Sequence, residues 1–379
     1  MGNKNKVLLK DICNVITKGT TPSQFSEKGI NFIRIENING LNIDSNFDMF
    51  ISEKIHNTDL KRSILKKNDI LFAIAGATVG KCAIVNEDCL PANTNQALAI
   101  IRLKNNYDSF YIANILASEK MKKYIYLNIS VGAQPNLSLE QVGNFQFYVD
   151  DIATQTKIAT FLNLYYKKIE LLNKKLNLLK LRKEGFLQRV FRKQYPNIYK
   201  LNAILKERSI YSSDKQMYTH ATLSKDGIFP KTERYNRDFL VKDEEKKYKI
   251  TFKNDICYNP ANLKFGVICL NNYGTLIFSP IYVTFEINTN LTDVTYISHL
   301  LTWNETIQKL RKYEEGTVYE RMAVSSEDFV KLTITLPTIQ EQKNISQKIL
   351  SFDKEIDLIS NKINLLEKYK QGLLQKLFI

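Results

Sequence analysis

The stretch QTKIATFLNLYYKKIELLNKKLNLLKLRKEGFLQRVF, Gln155 to Phe191, has a second copy near the end of the chain: QKNISQKILSFDKEIDLISNKINLLEKYKQGLLQKLF, Gln342 to Phe378. The two copies align without a gap at an offset of 187 residues, with 14 identities in 37 positions. A repeat of this kind indicates the architecture of a chain more directly than local propensities do. An internal duplication therefore organises this sequence.

Each copy carries apolar residues at alternating steps of four and three, which places them on one seam of a helix. In the first copy the seam consists of Ile158, Leu162, Tyr165, Ile169, Leu172, Leu176, Leu179, Phe186 and Val190. In the second copy it consists of Ile345, Ile349, Phe352, Ile356, Ile359, Ile363, Leu366, Leu373 and Leu377. A lysine interrupts both seams at the same place, Lys183 and Lys370. The pattern predicts two long helices that pack on each other as an antiparallel coiled coil. Packing of each seam on another protein's helix is an alternative, and the two uses can coexist.

The regions that precede the two copies read as short β-branched strands separated by Gly, Asn or Pro, with some helices. The block NDI occurs at 68–70 and at 254–256, and a glycine follows at 80 and at 266, so the duplication extends into these regions. The sequence predicts a mixed α/β (α+β) chain with internal pseudo-two-fold symmetry. We expect four segments: a globular domain 1–150, a long helix 151–192, a second domain 193–338 and a long helix 339–379.

The chain has a formal net charge of +15, which favours a polyanionic partner, with nucleic acid ahead of a membrane. Thr154 to Lys193 contains 11 basic and 2 acidic residues, whereas Glu341 to Ile379 contains 7 and 5. The first helix therefore carries much of the excess charge. A merely basic composition, with a solvated helix face, is the alternative.

The sequence contains no apolar run near the roughly 18 residues that span a bilayer, and its start is polar and basic. We interpret the protein as cytoplasmic, without a membrane partner. The five cysteines and three histidines show no zinc-ligand spacing, so no metal site is predicted.

The segment NDILFAIAGATVGKCAIV, Asn68 to Val85, resembles a phosphate-binding loop at first sight. That motif needs four residues between its glycines and a Ser or Thr after the lysine. Here Gly76 and Gly80 enclose three residues, and Cys82 follows Lys81. A β-hairpin in which Gly80 supplies a positive φ explains the segment better. Nothing else in the sequence indicates an active site.

Several blocks together resemble the specificity subunit of type I restriction–modification enzymes over nearly the whole chain. They include LKDICNVITKGTTPS (9–23), NTNQALAIIRL (93–103), GTVYERMAVSSEDF (316–329) and LPTIQEQKNISQKIL (336–350). The resemblance implies a subunit without catalysis, in which each globular domain reads one half of a bipartite site in double-stranded DNA. It also implies that the helices set the spacer and that two modification subunits, which bind S-adenosylmethionine, dock on the scaffold. Two motor-nuclease subunits are further expected partners, and this chain itself is expected to hold no cofactor.

Loop residues with amide or cationic side chains are the candidates for DNA contact, because Arg pairs with guanine, Asn and Gln pair with adenine, and Lys positions phosphates. In the first domain we select Lys18, Thr20, Thr21, Arg34, Asn37, Lys81, Asn93, Asn95, Gln96 and Gln134. In the second domain we select Lys231, Arg234, Tyr235, Arg237, Asn259, Asn262, Lys264, Tyr319 and Arg321. Two other functions stay open: a structural coiled-coil adaptor without DNA readout, and an autonomous enzyme.

Overall fold

The computed structural model describes residues 4–128, 136–212, 218–230, 247–315 and 322–378. Contacts divide the chain into two compact units, residues 1–175 with 359–379, and residues 176–358. Each unit therefore combines one globular region with a part of both long helices.

The first unit is built on an antiparallel four-stranded sheet of order β2-β10-β7-β8. Its strands are β1 (Asn5–Leu8), β2 (Cys13–Lys18), β3 (Ile30–Ile33), β4 (Ile38–Asn39), β5 (Asn42–Ile43), β6 (Phe50–Ile51), β7 (Ile70–Ala73), β8 (Cys82–Ile84), β9 (Ala92–Thr94), β10 (Leu98–Leu103) and β11 (Gln146–Val149). Its short helices are α1 (Glu53–Asn57), α2 (Ser109–Leu116), α3 (Glu119–Asn128) and α4 (Leu139–Gly143). A smaller sheet, β6-β3-β9, and the pairs β1-β11 and β4-β5 complete the unit.

The first long helix is α5 (Ile152–Phe191), and the second unit repeats the arrangement after it. Its strands are β12 (Asn197–Lys200), β13 (Leu205–Glu207), β14 (Tyr211–Ser212), β15 (Thr219–Ser224), β16 (Gly227–Pro230), β17 (Tyr248–Thr251), β18 (Ile256–Tyr258), β19 (Ile268–Leu270), β20 (Leu276–Phe278), β21 (Val283–Ile287) and β22 (Thr333–Leu336). Its helices are α6 (Leu201–Ile204), α7 (Val294–Thr302), α8 (Asn304–Leu310) and α9 (Ser326–Phe329), and α10 (Ile339–Leu377) is the second long helix. The sheet β13-β21-β18-β19 and the pair β12-β22 match the first unit, whereas the sheet β14-β17-β20-β15-β16 is particular to the second. The predicted mixed α/β duplication is confirmed.

The predicted seams of the two long helices are buried or half-buried along their whole length. Leu162 and its repeat counterpart Ile349 are both fully buried. Ile158 and Phe378 pack against the core of the first unit, and Val190 and Ile345 pack against the core of the second. The helix parts within each unit therefore run in opposite directions, as predicted. Among the described residues, no helix has the length and apolar character that crossing a membrane requires.

The two lysines that interrupt the seams occupy matching positions. Lys183 forms an ion pair with Asp353 in the second unit. In the first unit Lys370 lies 4.9 Å from the ring centroid of Tyr166, and Tyr166 is the repeat counterpart of Asp353. Each lysine therefore meets the same position of the facing helix, by an ion pair in one unit and by a cation–π contact in the other.

A buried glutamine joins each long helix to its globular region. The Gln155 side chain accepts a hydrogen bond from the amide of Asp108 at 3.0 Å and donates one to the Asp150 carbonyl at 2.7 Å. Gln342 makes the same pair of bonds, with the Asp293 amide at 2.9 Å and the Pro337 carbonyl at 3.0 Å. Asp108 and Asp293 also cap α2 and α7. Each glutamine therefore links the start of its long helix to the preceding strand end and to the cap of a short helix.

Replacing Gln155 or Gln342 with leucine is expected to lower the free energy of unfolding by about 2 kcal/mol. The apolar side chain leaves a buried amide and a buried carbonyl without partners, and each such group costs about 1–3 kcal/mol before relaxation. Urea unfolding measures the loss, with Gln347→Leu on the exposed face of α10 as the matched control. Equal unfolding midpoints for all three variants would contradict this role.

The repeated NDI block forms the turn before the central hairpin of each unit. Asn68 and Asn254 have φ values of 69° and 72°, a left-handed conformation that Asn tolerates better than most residues. The next residue is a buried aspartate: Asp69 accepts two hydrogen bonds from Arg102, and Asp255 accepts one from Arg208. The block therefore combines a turn residue with a buried ion pair.

Candidate nucleic-acid interface

The segment Asn68 to Val85 is the predicted hairpin and not a phosphate-binding loop. β7 and β8 pair antiparallel, with Phe72 opposite Cys82, and the turn between them contains Gly76 at φ 80° and Gly80 at φ 91°. Gly266 in the matching hairpin of the second unit has φ 79°. The positive φ predicted for Gly80 is therefore confirmed.

Close packing around Gly19 brings two of the predicted loops together. A Cβ atom on Gly19 would lie 2.1 Å from the carbonyl oxygens of Thr94 and Asn95, so only glycine permits this approach. The Thr20 amide donates to the Thr94 carbonyl at 2.9 Å and completes the junction. The blocks KGTTPS and NTNQ, which are far apart in the sequence, thus form one surface.

This surface leaves several predicted side chains accessible. Lys18, Thr21 and Gln96 are exposed, and Thr20 is half-buried. Lys18 and Gln96 line one groove of the first unit together with Asn136, Ser138 and Gln141, and the last two bond each other in the capping box of α4. The groove therefore offers a cation and amide groups, the side chains that contact phosphates and adenine edges.

Arg62 belongs to the same surface, although no sequence pattern marks it as a DNA-contact candidate. Its guanidinium donates to the Thr20 hydroxyl at 3.3 Å, and the side chain is exposed. The sequence does not indicate this contact, because Arg62 lies in the short 3-10 helix Lys61–Ser63, 42 residues from Thr20.

Lys81 projects from the hairpin of the first unit. The side chain is exposed, and its ammonium lies 3.5 Å from the Ile38 carbonyl oxygen. Within the described ranges no salt bridge involves Lys81, so its charge is available to a partner.

Four of the selected residues serve the fold of their units. Asn93 is fully buried, donates to the Leu60 carbonyl at 3.0 Å and contacts His56, which is at odds with a base contact. Asn37 is also buried and accepts from the Arg34 amide at 2.9 Å. The guanidinium of Arg34 donates to both carboxylate oxygens of Asp48 at 2.9 Å.

The fourth is Asn259, which is buried and caps the 3-10 helix Pro260–Phe265 by accepting from the Ala261 amide at 3.1 Å. A short polar side chain in a loop can read DNA or satisfy a backbone amide, and sequence alone did not separate these two roles. In the first unit Asn95 has a partly structural role, since its half-buried side chain accepts from the Ala97 amide at 3.0 Å.

In the second unit Asn262 and Lys264 lie in the 3-10 helix between β18 and β19 and are half-buried. Lys264 lies 5.3 Å from the ring centroid of Phe265, which is itself 65% exposed. The remaining selected residues lie outside the described residues: Gln134, Lys231, Arg234, Tyr235, Arg237, Tyr319 and Arg321.

Burial raises the pKa of the thiols of all five cysteines. Burial raises the pKa of Cys13, Cys82 and Cys269 to about 12, so these side chains are protonated. Among the described residues, no three His, Cys, Asp or Glu side chains come together as a metal site would require.

Comparisons with known proteins give matches to both halves of the chain. The family described as "Type I restriction modification DNA specificity domain" matches residues 1–181 and 202–368. The putative type I restriction enzyme MjaX specificity subunit of Methanocaldococcus jannaschii is 22% identical over 97% of this chain and 91% of its own length. The EcoBI specificity subunit of Escherichia coli is 29% identical over 41% of this chain and 32% of its own length.

A solved structure shares the fold over its whole extent. The type I restriction–modification S subunit of M. genitalium superposes with a TM-score of 0.64 at 13% identity, covering 100% of this chain and 96% of that chain. Since the family match spans both units, the chain belongs to the family of type I restriction–modification DNA specificity subunits.

Proposed function

We propose that this chain is the non-catalytic DNA-recognition subunit of a type I restriction–modification complex. The duplicated unit carries the proposal, because two similar globular regions on a pair of shared helices fit two half-sites of one asymmetric DNA sequence. The helices set the spacer between the half-sites. Adenine methylation comes from modification subunits that bind S-adenosylmethionine, and motor-nuclease subunits join when the complex restricts DNA.

In the first unit we assign base contact to Gln96 and phosphate contact to Lys18, Arg62 and Lys81. Gln96 presents an exposed amide, the group that pairs with adenine through two hydrogen bonds. Lys18 lines the same groove as Gln96, Arg62 contacts Thr20 on the surface formed by KGTTPS and NTNQ, and Lys81 lies on the hairpin. This arrangement separates one reading group from several positioning groups.

Replacing Lys81 with alanine is expected to weaken DNA binding on every sequence while the preferred sequence stays the same. Losing one phosphate contact should reduce the slope of log affinity against log salt by about 1. Fluorescence anisotropy of the chain with its modification subunit measures both quantities. A change in the preferred sequence would instead assign Lys81 to base reading.

Each unit also presents exposed leucines on its helix parts, away from the seam. The first unit exposes Leu171 and Leu365, at 64% and 56%. Their repeat counterparts are Leu358 and Leu178 in the second unit, which are 61% and 67% exposed. Exposed leucines recur every seven residues on each long helix, at Leu164, Leu171 and Leu178 on α5 and at Leu358 and Leu365 on α10, and an apolar stripe of this kind suits a protein partner. We assign one modification subunit to each of these matching pairs.

The double variant Leu171→Glu, Leu365→Glu is therefore expected to lower the number of bound modification subunits from two to one. Binding of the modification subunit would bury the two introduced carboxylates in an apolar surface. This desolvation is costly, so the subunit should not bind there. Native mass spectrometry of the reconstituted complex counts the subunits, with Lys167→Glu as a control on the exposed surface of α5. Retention of both subunits by the double variant would remove this docking assignment.

A structural coiled-coil adaptor is the second candidate, favoured by the exposed leucines alone. DNA affinity distinguishes the two, because phosphate contacts release counterions and make binding steeply dependent on salt. With modification subunits present, the recognition function predicts salt-dependent binding that prefers one bipartite sequence. Binding that is indifferent to sequence would favour the adaptor.

A further inference from the structure

The two units differ at the junction between their paired short helices. α2–α3 and α7–α8 correspond at an offset of 185 residues, since α3 begins at Glu119 and α8 begins at Asn304. At this junction the second unit has Trp303, the only tryptophan of the chain, and the first unit has Ser118. The two units can therefore be compared position by position at this junction.

In the second unit Trp303 completes an aromatic cluster. The ring of Phe191 packs against Trp303 at 5.9 Å between centroids and against Tyr296 at 5.6 Å. Two residues after the tryptophan, the Glu305 carboxylate accepts a hydrogen bond from the Arg192 guanidinium at 2.7 Å. Trp303 and Glu305 thus both contact the C-terminal end of α5, at Phe191 and Arg192.

The first unit has counterparts of Phe191 and Tyr296 but has Ser118 in place of Trp303. Phe378, the counterpart of Phe191, packs against Tyr111 at 5.3 Å. Beside Phe378 and Ser118 lies a cavity of about 270 Å³, with Ile115 and Met121 in its apolar wall. Small-molecule sites usually have about 300–1,000 Å³, so this cavity has the size for one large side chain.

The charge at this pocket is also reversed. The counterpart of Glu305 is Lys120, and Lys4 and Lys6 also line the pocket. Lys4 donates to the Leu377 carbonyl at 3.0 Å, and no salt bridge within the described ranges involves any of the three lysines. The pocket therefore has no ring at the position of Trp303 and no carboxylate at the position of Glu305, although Tyr124, Phe147 and Tyr148 form part of its wall. Its lysines offer cations to a group that supplies both a ring and carboxylates.

We propose that the pocket between Ser118, Met121 and Phe378 binds an aromatic side chain from an acidic segment of a partner protein. The ring takes the position that Trp303 occupies in the second unit, and flanking carboxylates pair with the lysines. Aromatic anchors in apolar pockets commonly dominate the affinity of such contacts. This site is separate from the DNA-recognition surface and does not depend on the proposed DNA readout.

The probe is a fluorescein-labelled peptide of sequence DEWNEDE, which contains the Trp-Asn-Glu order of the second unit, and its matched control is DESNEDE. Fluorescence anisotropy with the full chain should show binding of the tryptophan peptide at least about tenfold tighter than the control. Ser118→Trp fills the pocket from within and should remove this difference. Equal affinities of the two peptides for the native chain would overturn the proposal.

Because Ser118→Trp can disturb folding, Lys120→Glu on the exposed surface provides a second variant. It should weaken the tryptophan peptide about threefold or more through charge repulsion, while Lys54→Glu on α1 should leave the affinity unchanged. Unchanged affinity in Lys120→Glu would contradict the charge assignment. An oligothymidine that binds more tightly than the peptide, and is lost in Ser118→Trp, would assign the pocket to nucleic acid and overturn the proposal.

Discussion

Replacing Arg102 with methionine is expected to lower the free energy of unfolding by about 3–5 kcal/mol, the usual cost of leaving a buried charge without its partner. The Asp69 carboxylate is fully buried and accepts two hydrogen bonds from the guanidinium, both at 2.7 Å. Without Arg102 it retains the Lys66 amide, at 2.8 Å, as its only other described donor. Urea unfolding followed by circular dichroism measures the loss.

Two further variants make this test specific. Arg189→Met removes an exposed arginine from α5 and should change stability by less than about 0.5 kcal/mol. The double variant Asp69→Leu, Arg102→Met removes both charges and should recover part of the loss, because no unpaired carboxylate remains. If Arg102→Met were as stable as the native chain, the ion pair between Asp69 and Arg102 would not stabilise the turn at Asn68.

Truncating a fully buried residue of either seam is expected to cost about 2–5 kcal/mol, the range for deleting a large buried aliphatic side chain. Leu162→Ala and Ile349→Ala change counterpart positions that are both fully buried. Because the positions are equivalent in the repeat, the two losses should be similar. Thermal or urea unfolding of each variant gives the comparison.

The matched control is Leu171→Ala, one helical face away on α5. Its side chain is 64% exposed, so truncation should leave stability within about 0.5 kcal/mol of the native chain. A loss for Leu171→Ala as large as that for Leu162→Ala would show that the assigned seam is wrong.

The helical scaffold could be predicted from the sequence because the apolar residues of its seams recur at regular spacings. The four-and-three spacing identifies the buried face, and the fixed offset of 187 residues pairs Leu162 with Ile349. A positive φ at Gly80 also followed from local chemistry, since the hairpin there requires it. These features depend on neighbours along the chain.

Tertiary partners could not be predicted in the same way. Asp69 and Asp255 belong to a repeated block, yet Arg102 follows its aspartate by 33 residues, whereas Arg208 precedes its aspartate by 47. The two arginines come from non-equivalent strand regions, so no sequence offset relates them. Asn93 illustrates the same limit, because only the surrounding fold shows that its amide is enclosed by Leu60 and Ser63.

The most direct test of DNA recognition is to sequence the methylated bases of the host genome with and without this gene. If the chain directs modification subunits to DNA, deletion should abolish adenine methylation at one asymmetric bipartite motif, and Gln96→Ala should alter only one half of that motif. An unchanged set of methylated motifs after deletion, with the modification subunit still expressed, would contradict the account.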